Sequence, residues 1–481
     1  MIKINPDFIV QWEKKKIKKD FNIDDIDKKF NFIKQNYDSE IISLNLTDLY
    51  TLLTLNNPHR YLRDLLNFFL LIINYIKLTF ANIFKKKNIY NTTNLIIFSK
   101  NKYVDQFNFS ETSNFLIKKK REHLVVLNHS SNDFKKISNL YQNKNIVNLK
   151  SFLNFNDIIK SAIEFVILLK TINKIILILN CKKIRFKIYY LFFNFFINSK
   201  MWMNLIKNNK IKKLFLANFQ GDAGMIYANR IKNKKIEFIG YAMHGLDGNT
   251  TRYGFHNLDK LLTLGKVDIK ICEKIKKFKL KFMSLPKKTL VVGSVRHDYF
   301  IKKASIKKNK KNTFKVLYIK SSPYHLDGLD DKVFILFSKI IKKYKNIQYI
   351  IKDREIFSSP TILKLIEKKI IKKKYLKKSH LIEKSIQESD LCVGTNSTAL
   401  LRQTINLNKP IIQLYANQIY LWDTSKILNS VNNEKQIIFL IDKLIKDKKF
   451  YNEYLNLNKK IKNFILSNES KATKKIYEIL K

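Results

Sequence analysis

The 481-residue sequence predicts an α/β protein with two doubly wound domains, each a parallel sheet with helices on both faces, and extra helices at both ends. Three observations predict it. From residue 94 onward, short apolar runs alternate with helical stretches, the pattern of strands buried in parallel sheets. Residues 301–313 hold no apolar cluster and divide this alternation in two. All ten glycines lie between Gly221 and Gly394, eight of them within 221–293. Glycine allows positive φ and close backbone approach, and several of these stand just beyond predicted strands, where open α/β sheets bind ligands. The length also exceeds what one ordinary core supports.

In chain order, residues 1–60 read as a helical, charged, peripheral segment, and 61–90 as an apolar helical stretch. The reading therefore places a helical extension over 1–90 and a first sheet domain over 91–300. Strands are predicted at Asn94–Ser99, His123–Asn128, Lys213–Ala217, Ile236–Ala242, Leu261–Leu264 and Thr289–Val292, with long helices filling 151–210. After the linker 301–313, the second domain covers 314–440. Its predicted strands are Phe314–Ile319, Ile347–Ile351, Asp390–Val393 and Pro410–Leu414. A helix over 331–344 sets Val333, Leu336, Phe337, Ile340, Ile341 and Tyr344 on one stripe, and another is expected over 397–407. Residues 441–481 read as Lys-rich helices.

The formal charge of +53 would ordinarily suggest nucleic acid, but the excess is Lys spread along the whole chain, with nine Arg. Abundant Lys, Ile, Asn, Phe and Tyr fit AT-rich coding. Scarce Arg and the lack of a concentrated basic stripe argue against base readout, so no nucleic-acid partner is expected. Diffuse positive charge suits a solvated surface, or an anionic membrane or substrate. Cys181, Cys272 and Cys392 are far apart and give no disulfide or metal spacing. The first residues, Met1-Ile2-Lys3-Ile4-Asn5-Pro6, lack a signal-peptide core. A cytoplasmic protein is expected, reaching as far as the inner face of the plasma membrane. The apolar stretches Leu65–Phe84, Ala162–Leu179 and Ile188–Ile197 read either as core helices or as faces that dock shallowly on lipid.

Five loops and one strand end carry candidate chemistry. In Gly394-Thr395-Asn396-Ser397-Thr398, a strand ends in Gly and small polar residues open a helix. Free N–H groups, the helix dipole and the Ser397 and Thr398 hydroxyls suit a phosphate there; an ordinary N-cap by Asn396 or Ser397 is the alternative. His244-Gly245-Leu246-Asp247-Gly248 follows a strand directly. His244 titrates near neutral pH and suits a general base, with Gly245 beside it. Asp247 fits an orienting or sugar-binding role as well as a turn. Asp222 opens a helix and fits either ligand contact or N-capping. In Gly293-Ser294-Val295-Arg296-His297-Asp298, Arg296 could clamp a phosphate or carboxylate, while His297 and Asp298 read as structural. Ser321 and Ser322 follow a strand and suit diphosphate contacts. Lys352 ends another and would meet the same space, or be one solvated lysine among many. No Walker, dinucleotide, HExxH or zinc motif occurs, so metal-independent chemistry is expected.

These residues, with Ser389-Asp390-Leu391-Cys392-Val393-Gly394-Thr395-Asn396-Ser397-Thr398-Ala399-Leu400-Leu401 and Asn408-Lys409-Pro410-Ile411-Ile412, follow in an order that resembles GT-B-fold proteins. The nearest groups are bacterial surface-carbohydrate biosynthesis proteins, including glycerophosphotransferase-like and polysaccharide glycosyltransferases. The resemblance covers about 210–425. It implies two Rossmann-like domains, a nucleotide-activated donor on the second and a glycan or lipid-linked glycan acceptor on the first. It also implies His244 as base and Asn396, Ser397 and Thr398 on the donor phosphate. No resident cofactor is implied; the nucleotide-activated sugar is a co-substrate. The sequence departs from the pattern at Lys352-Asp353, where relatives carry a phosphate-site His-Pro or basic pair, and at Arg402-Gln403, where an acidic residue is usual. The expected activity is transfer of a sugar or polyol-phosphate unit. The alternatives are a nucleotide-sugar 2-epimerase and a non-catalytic membrane-associated scaffold.

Overall fold

A computed structural model describes residues 23–37, 39–54, 61–83, 94–99, 107–143, 145–207, 210–216, 222–232, 235–243, 246, 258–277, 285–303, 313–319, 329–344, 346–352, 360–377, 382–394, 404, 407–414, 430–431, 434–467 and 471–481. Two wholly parallel sheets organise the chain. The first has seven strands: β1 (Leu95–Ser99), β2 (Leu124–Leu127), β3 (Ile146–Asn148), β4 (Lys213–Leu216), β5 (Glu237–Tyr241), β6 (Lys260–Thr263) and β7 (Lys288–Val291). Their spatial order is β3-β2-β1-β4-β5-β6-β7. The second has β8 (Lys315–Ile319), β9 (Gln348–Lys352), β10 (Leu376–Lys377), β11 (Leu391–Gly394), β12 (Ile411–Leu414) and β13 (Ser430–Val431), in the order β10-β9-β8-β11-β12-β13. Every predicted strand is present to within a residue or two. The three that sequence reading missed, β3, β10 and β13, are two- or three-residue edge strands.

Strand patterning explains why both faces are covered. In the first sheet Ile96, Phe98, Leu124, Val126, Leu214 and Leu216 point into one apolar cluster, while Leu95, Ile97, Val125, Leu127, Phe215 and Ile239 point into another on the opposite face. Such strands read as continuous apolar runs because neither face meets water. The first cluster is closed by the long helices α6 (Phe155–Ile178) and α7 (Arg185–Lys207) and the short α8 (Ala223–Ile231). Within it α7 buries Phe192, Phe196 and Trp202, with the Trp202 ring edge-on to Phe98 at 4.8 Å between centroids.

Residues 23–83 are not a peripheral appendage. Helices α1 (Ile23–Asn36), α2 (Glu40–Thr54) and α3 (Tyr61–Ile83) bury Phe30, Ile33, Ile42, Leu46, Leu49 and Tyr75 in that same cluster. In α1, interleaved Lys and Asp hid this amphipathic stripe. The other face of the first sheet is covered by α4 (Phe107–Lys118) and α5 (Ser131–Ser138). Helix α9 (Lys266–Lys277) follows β6, and α10 (Val295–Lys303) follows β7 and runs through the first three residues of the expected linker.

In the second sheet Val316, Tyr318, Tyr349, Ile351, Leu391 and Val393 form one cluster with α11 (Leu329–Lys343), α12 (Pro360–Glu367), α14 (Glu434–Lys446) and α15 (Lys448–Ile465). The opposite-facing Leu317, Ile319, Ile350, Cys392 and Ile411 join Ile386 of α13 (Ile382–Glu388) in the cluster that also contains the first sheet's core. The two sheets therefore share one continuous apolar interior.

The chain end returns to the first sheet. Ser467 N–H donates to Leu264 O at 2.8 Å. Helix α16 (Ala472–Leu480) then buries Ile476 and Leu480 against the first sheet's second face. Gly265 and Gly293 make room for this return. A Cβ on Gly265 would lie 2.2 Å from Ile465 O, and one on Gly293, where φ is +91°, 2.4 Å from Ser467 O. Part of the glycine cluster thus serves a close approach of the chain to itself rather than to a ligand.

Candidate functional site

Parallel sheets gather the loops that follow their strands along one edge. In the second sheet Gly394 pairs with Ile319, and Ile319 with Lys352, so β11, β8 and β9 end side by side. The strand order reverses between β8 and β11, the position where open α/β sheets form their ligand crevice. Gly394 is tight there: a Cβ would stand 3.2 Å from Ile319 O. Ser321 and Ser322 leave β8, and Asn396, Ser397 and Thr398 leave β11. All five lie outside the described residues, as does nearly all of the helix expected over 397–407. The strand ends that launch both loops are adjacent. Lys352 is half-buried at the last position of β9.

In the first sheet β4 and β5 also end side by side, with Leu216 opposite Gly240. Asp222 stands before α8, where its Oδ1 accepts from Met225 N–H at 3.1 Å and the residue is buried. Of the two roles the sequence allowed, the capping one is visible. Gly224 packs α8 on α7: a Cβ would lie 3.0 Å from Asn198 Cβ and Ser199 N.

His244, Gly245 and Asp247 lie outside the described residues, but the residues that flank His244 and Gly245 in their loop are held in place. At its start, Ala242 N–H donates to Leu262 O at 2.8 Å. The fully buried Tyr241 hydroxyl donates to Gly293 O at 3.0 Å and accepts from Val295 N–H at 3.2 Å. In its middle, Leu246 N–H donates to Asp268 Oδ1 at 2.8 Å. The other Asp268 oxygen accepts from Leu264 and Gly265 N–H, both at 3.0 Å. Asp268 is wholly buried, and its charge is met by three backbone donors and by the N-terminal end of α9.

Arg296, one residue beyond Val295, reaches across to the second sheet's unit. Its Nη2 donates to Glu383 Oε2 at 3.0 Å, and its Nε stands 2.5 Å from Oε1 as an ion-pair contact. Glu383 is fully buried and Arg296 nearly so. The carboxylate that Arg296 clamps thus belongs to the chain itself. Both residues open helices, α10 and α13. A helix running back along a parallel sheet begins at the carboxyl edge of the strands, so this ion pair joins the carboxyl edge of one sheet to that of the other.

His297 and Asp298 take structural roles. Asp298 Oδ2 accepts from Ala472 N–H at 2.7 Å and so holds the returning helix α16. His297 is buried, its N–H donates to Ser294 Oγ at 3.2 Å, and burial with Lys462 nearby pushes its pKa down to about 3. The three thiols are free and buried. Burial pushes Cys392 up to about 11 and Cys181 to about 12, which leaves neither nucleophilic near neutral pH.

Sequence reasoning missed Tyr241, Asp268 and Glu383. Asp268 had a legible signal, an acidic residue in the first turn of a helix after Gly265. Glu383 had none, because its partner is 87 residues away.

No family model matches the sequence, and a search among curated proteins finds no match. Solved structures do share the architecture. A UDP-N-acetylglucosamine 2-epimerase from Neisseria meningitidis, bound to UDP-N-acetylglucosamine, is 13% identical, with 81% of this chain and 99% of that one covered at a TM-score of 0.50. Another UDP-N-acetylglucosamine 2-epimerase is 10% identical over 80% of this chain and 94% of its own, also at 0.50. A glycosyltransferase from Rickettsia africae is 12% identical over 82% and 98%, at 0.44. At such identities the likeness concerns the fold. The first two match the paired Rossmann-like, GT-B architecture that the two sheets describe.

Proposed function

We propose that the chain is a carbohydrate enzyme acting on a nucleotide-activated sugar, and that it transfers the sugar or a polyol-phosphate unit to a glycan or lipid-linked glycan acceptor. One observation supports this most: the Arg296–Glu383 bridge joins the two carboxyl edges, and the loops of Asn396–Thr398 and Ser321–Ser322 leave neighbouring strand ends at the second sheet's crossover point. Such an arrangement suits a diphosphate held by backbone N–H groups, hydroxyls and Lys352, with the acceptor delivered from the His244 side.

In this reading His244 takes the proton from the acceptor hydroxyl as its oxygen attacks the donor. With a sugar donor the bond from the anomeric carbon to the diphosphate oxygen breaks and the nucleoside diphosphate leaves with the electron pair; with a polyol-phosphate donor the acceptor oxygen attacks the distal phosphorus, the anhydride P–O bond breaks and the nucleoside monophosphate leaves with the pair. Asn396, Ser397, Thr398 and Lys352 meet the charge that develops on the departing phosphate. Asp247 orients the imidazole or holds a sugar hydroxyl. Asp268, through Leu246 N–H, fixes the loop that carries both. The chemistry needs no metal.

A second reading, a 2-epimerase, has one observation in its favour: both matches at a TM-score of 0.50 are UDP-N-acetylglucosamine 2-epimerases. Against it, carboxylates are few in the motif loops, whereas moving a C2 proton needs several acid/base groups around one hexose. A thermal-shift screen with UDP, CMP, CDP and GDP derivatives tests nucleotide binding. Incubation with UDP-N-acetylglucosamine alone separates the readings, since epimerisation without acceptor would replace transfer. His244→Ala should abolish turnover with nucleotide binding kept; full residual activity removes His244 as base.

A further inference from the structure

Helix α3 presents an apolar face that no other element covers among the described residues. Leu62, Leu66, Phe69, Leu70, Ile73 and Phe80 are exposed and share a stripe about 100° wide at 3.6 residues per turn. Helix α6 runs antiparallel beside it, with Phe80 against Phe155 (6.3 Å between centroids) and Phe68 against Phe165 (6.0 Å). It adds exposed Ile159, Ile163 and Ile167, the last 75% accessible. The result is one continuous apolar surface on two packed helices, far beyond scattered surface hydrophobes.

The charges on this surface are one-sided. The acidic residues of the two helices are Asp64, Asp157 and Glu164, and all are engaged with neighbours. Asp64 pairs with Lys187 at 3.6 Å. Asp157 accepts from Asn154 N–H at 2.9 Å and from Asn204 Nδ2 at 2.7 Å. Glu164 pairs with Lys200. The exposed ionised groups are cationic: Arg63, Lys77, Lys160, Lys170 and Lys174. Lys77 falls within the α3 stripe, and Lys170 and Lys174 within that of α6.

We propose that this α3–α6 face docks in the plane of an anionic lipid bilayer. A second copy of the chain is the poorer occupant. A dry, symmetric interface would bury Lys77, Lys170 and Lys174 with no carboxylate in the stripe to meet them, whereas at a bilayer surface they reach up to lipid phosphates while the apolar side chains enter the acyl boundary. Leu62–Asn82 is long and apolar enough to cross a membrane, but its inner side is committed to the fold. Tyr75 Oη donates to Asn194 Oδ1 at 2.6 Å, and Asn82 Nδ2 donates to Lys150 O at 2.9 Å and Leu153 O at 3.1 Å. Crossing would break these contacts; lying flat keeps them.

Flotation of the full chain with phosphatidylcholine vesicles, with and without phosphatidylglycerol, tests this without nucleotide, so it stands apart from the proposed activity. The wild type should float with the anionic vesicles and lose binding as salt rises. Leu66→Ser/Phe69→Ser/Ile73→Ser, whose side chains face outward and whose melting temperature should stay near that of the wild type, should bind at least about tenfold more weakly, given the apolar area withdrawn. Lys77→Gln/Lys170→Gln/Lys174→Gln should lose about fivefold per cation, on the order of a hundredfold together. Equal flotation of the Ser variant and the wild type overturns the proposal. So does a wild-type dimer in sedimentation that the Ser substitutions abolish.

Discussion

The guanidinium of Arg296 and the carboxylate of Glu383 close a buried, hydrogen-bonded ion pair between helices that belong to different sheets. Removing one partner strands the other charge where water does not reach. Arg296→Ala should therefore lower the unfolding free energy by about 3–5 kcal/mol, while replacing both residues with apolar side chains of similar size should lose much less. Denaturant titration of the two singles and the double gives the coupling. Additive singles would show that the bridge does not hold the sheets together.

Asp268 acts on the His244 loop at one remove, through Leu246 N–H. Asp268→Asn keeps the size but turns an NH2 toward backbone donors, so one or two of the three N–H groups lose their acceptor. Turnover should fall about tenfold or more while KM for the nucleotide donor stays nearly unchanged, because the loops proposed to hold the donor leave strands of the other sheet. Asp268→Glu, which restores acceptors at a longer reach, should recover part of the loss. A variant with normal turnover and lowered stability would reduce Asp268 to a helix cap.

The fold was legible in the sequence wherever periodicity was local. Runs such as Leu95–Ser99 and Leu391–Gly394 are apolar throughout because both faces of a parallel strand are buried, and that needs no knowledge of partners. The phosphate-type loop could be placed at a strand end for the same reason. Long-range pairings were not legible. Nothing near Arg296 announces Glu383, and nothing near Gly265 announces that Ile465 will pass over it. Glycine scarcity correctly marked positions with a backbone reason, but at Gly224, Gly265 and Gly293 that reason is close packing within the chain. Helix α1 was misread as peripheral because its buried stripe is interleaved with dense charge.

Acid should destabilise the protein through its buried histidines. His297 is pushed down to about 3 from an ordinary 6.5. His123 is also lowered by burial. Its Nδ1–H donates to Arg121 O at 3.0 Å, so Nε2, 2.6 Å from Ser113 Oγ, accepts from that hydroxyl. Both rings are neutral when folded, whereas the unfolded chain protonates them below about pH 6.5. The contribution of His297 is complete above that pH and is lost as pH falls toward 3, at up to about 1.4 kcal/mol per pH unit, and that of His123 is lost in the same direction. The melting temperature should drop between pH 7 and pH 5, and His297→Gln should flatten the profile. An unchanged slope in that variant would place the acid sensitivity elsewhere.

The return of the chain end makes the glycine substitutions separable. At Gly265 a methyl group would sit 2.2 Å from Ile465 O and 2.5 Å from Ile465 C, both backbone. Relief requires moving the end of α15, and with it Ser467, whose N–H reaches Leu264 O. Gly265→Ala should therefore destabilise by about 3 kcal/mol, at or beyond the upper end of ordinary overpacking, and loosen the docking of α16. At Gly224 the approach is 3.0 Å to Asn198 Cβ and to Ser199 N. There the strain is milder, and alanine's helix propensity returns about 0.5–1 kcal/mol, so Gly224→Ala should be close to neutral. Hydrogen exchange checks the cause: Gly265→Ala should speed exchange of amides in 472–480 while those of the second sheet keep their protection. Uniform loss across both sheets would mean that the close approach supports the whole fold and not the tail alone.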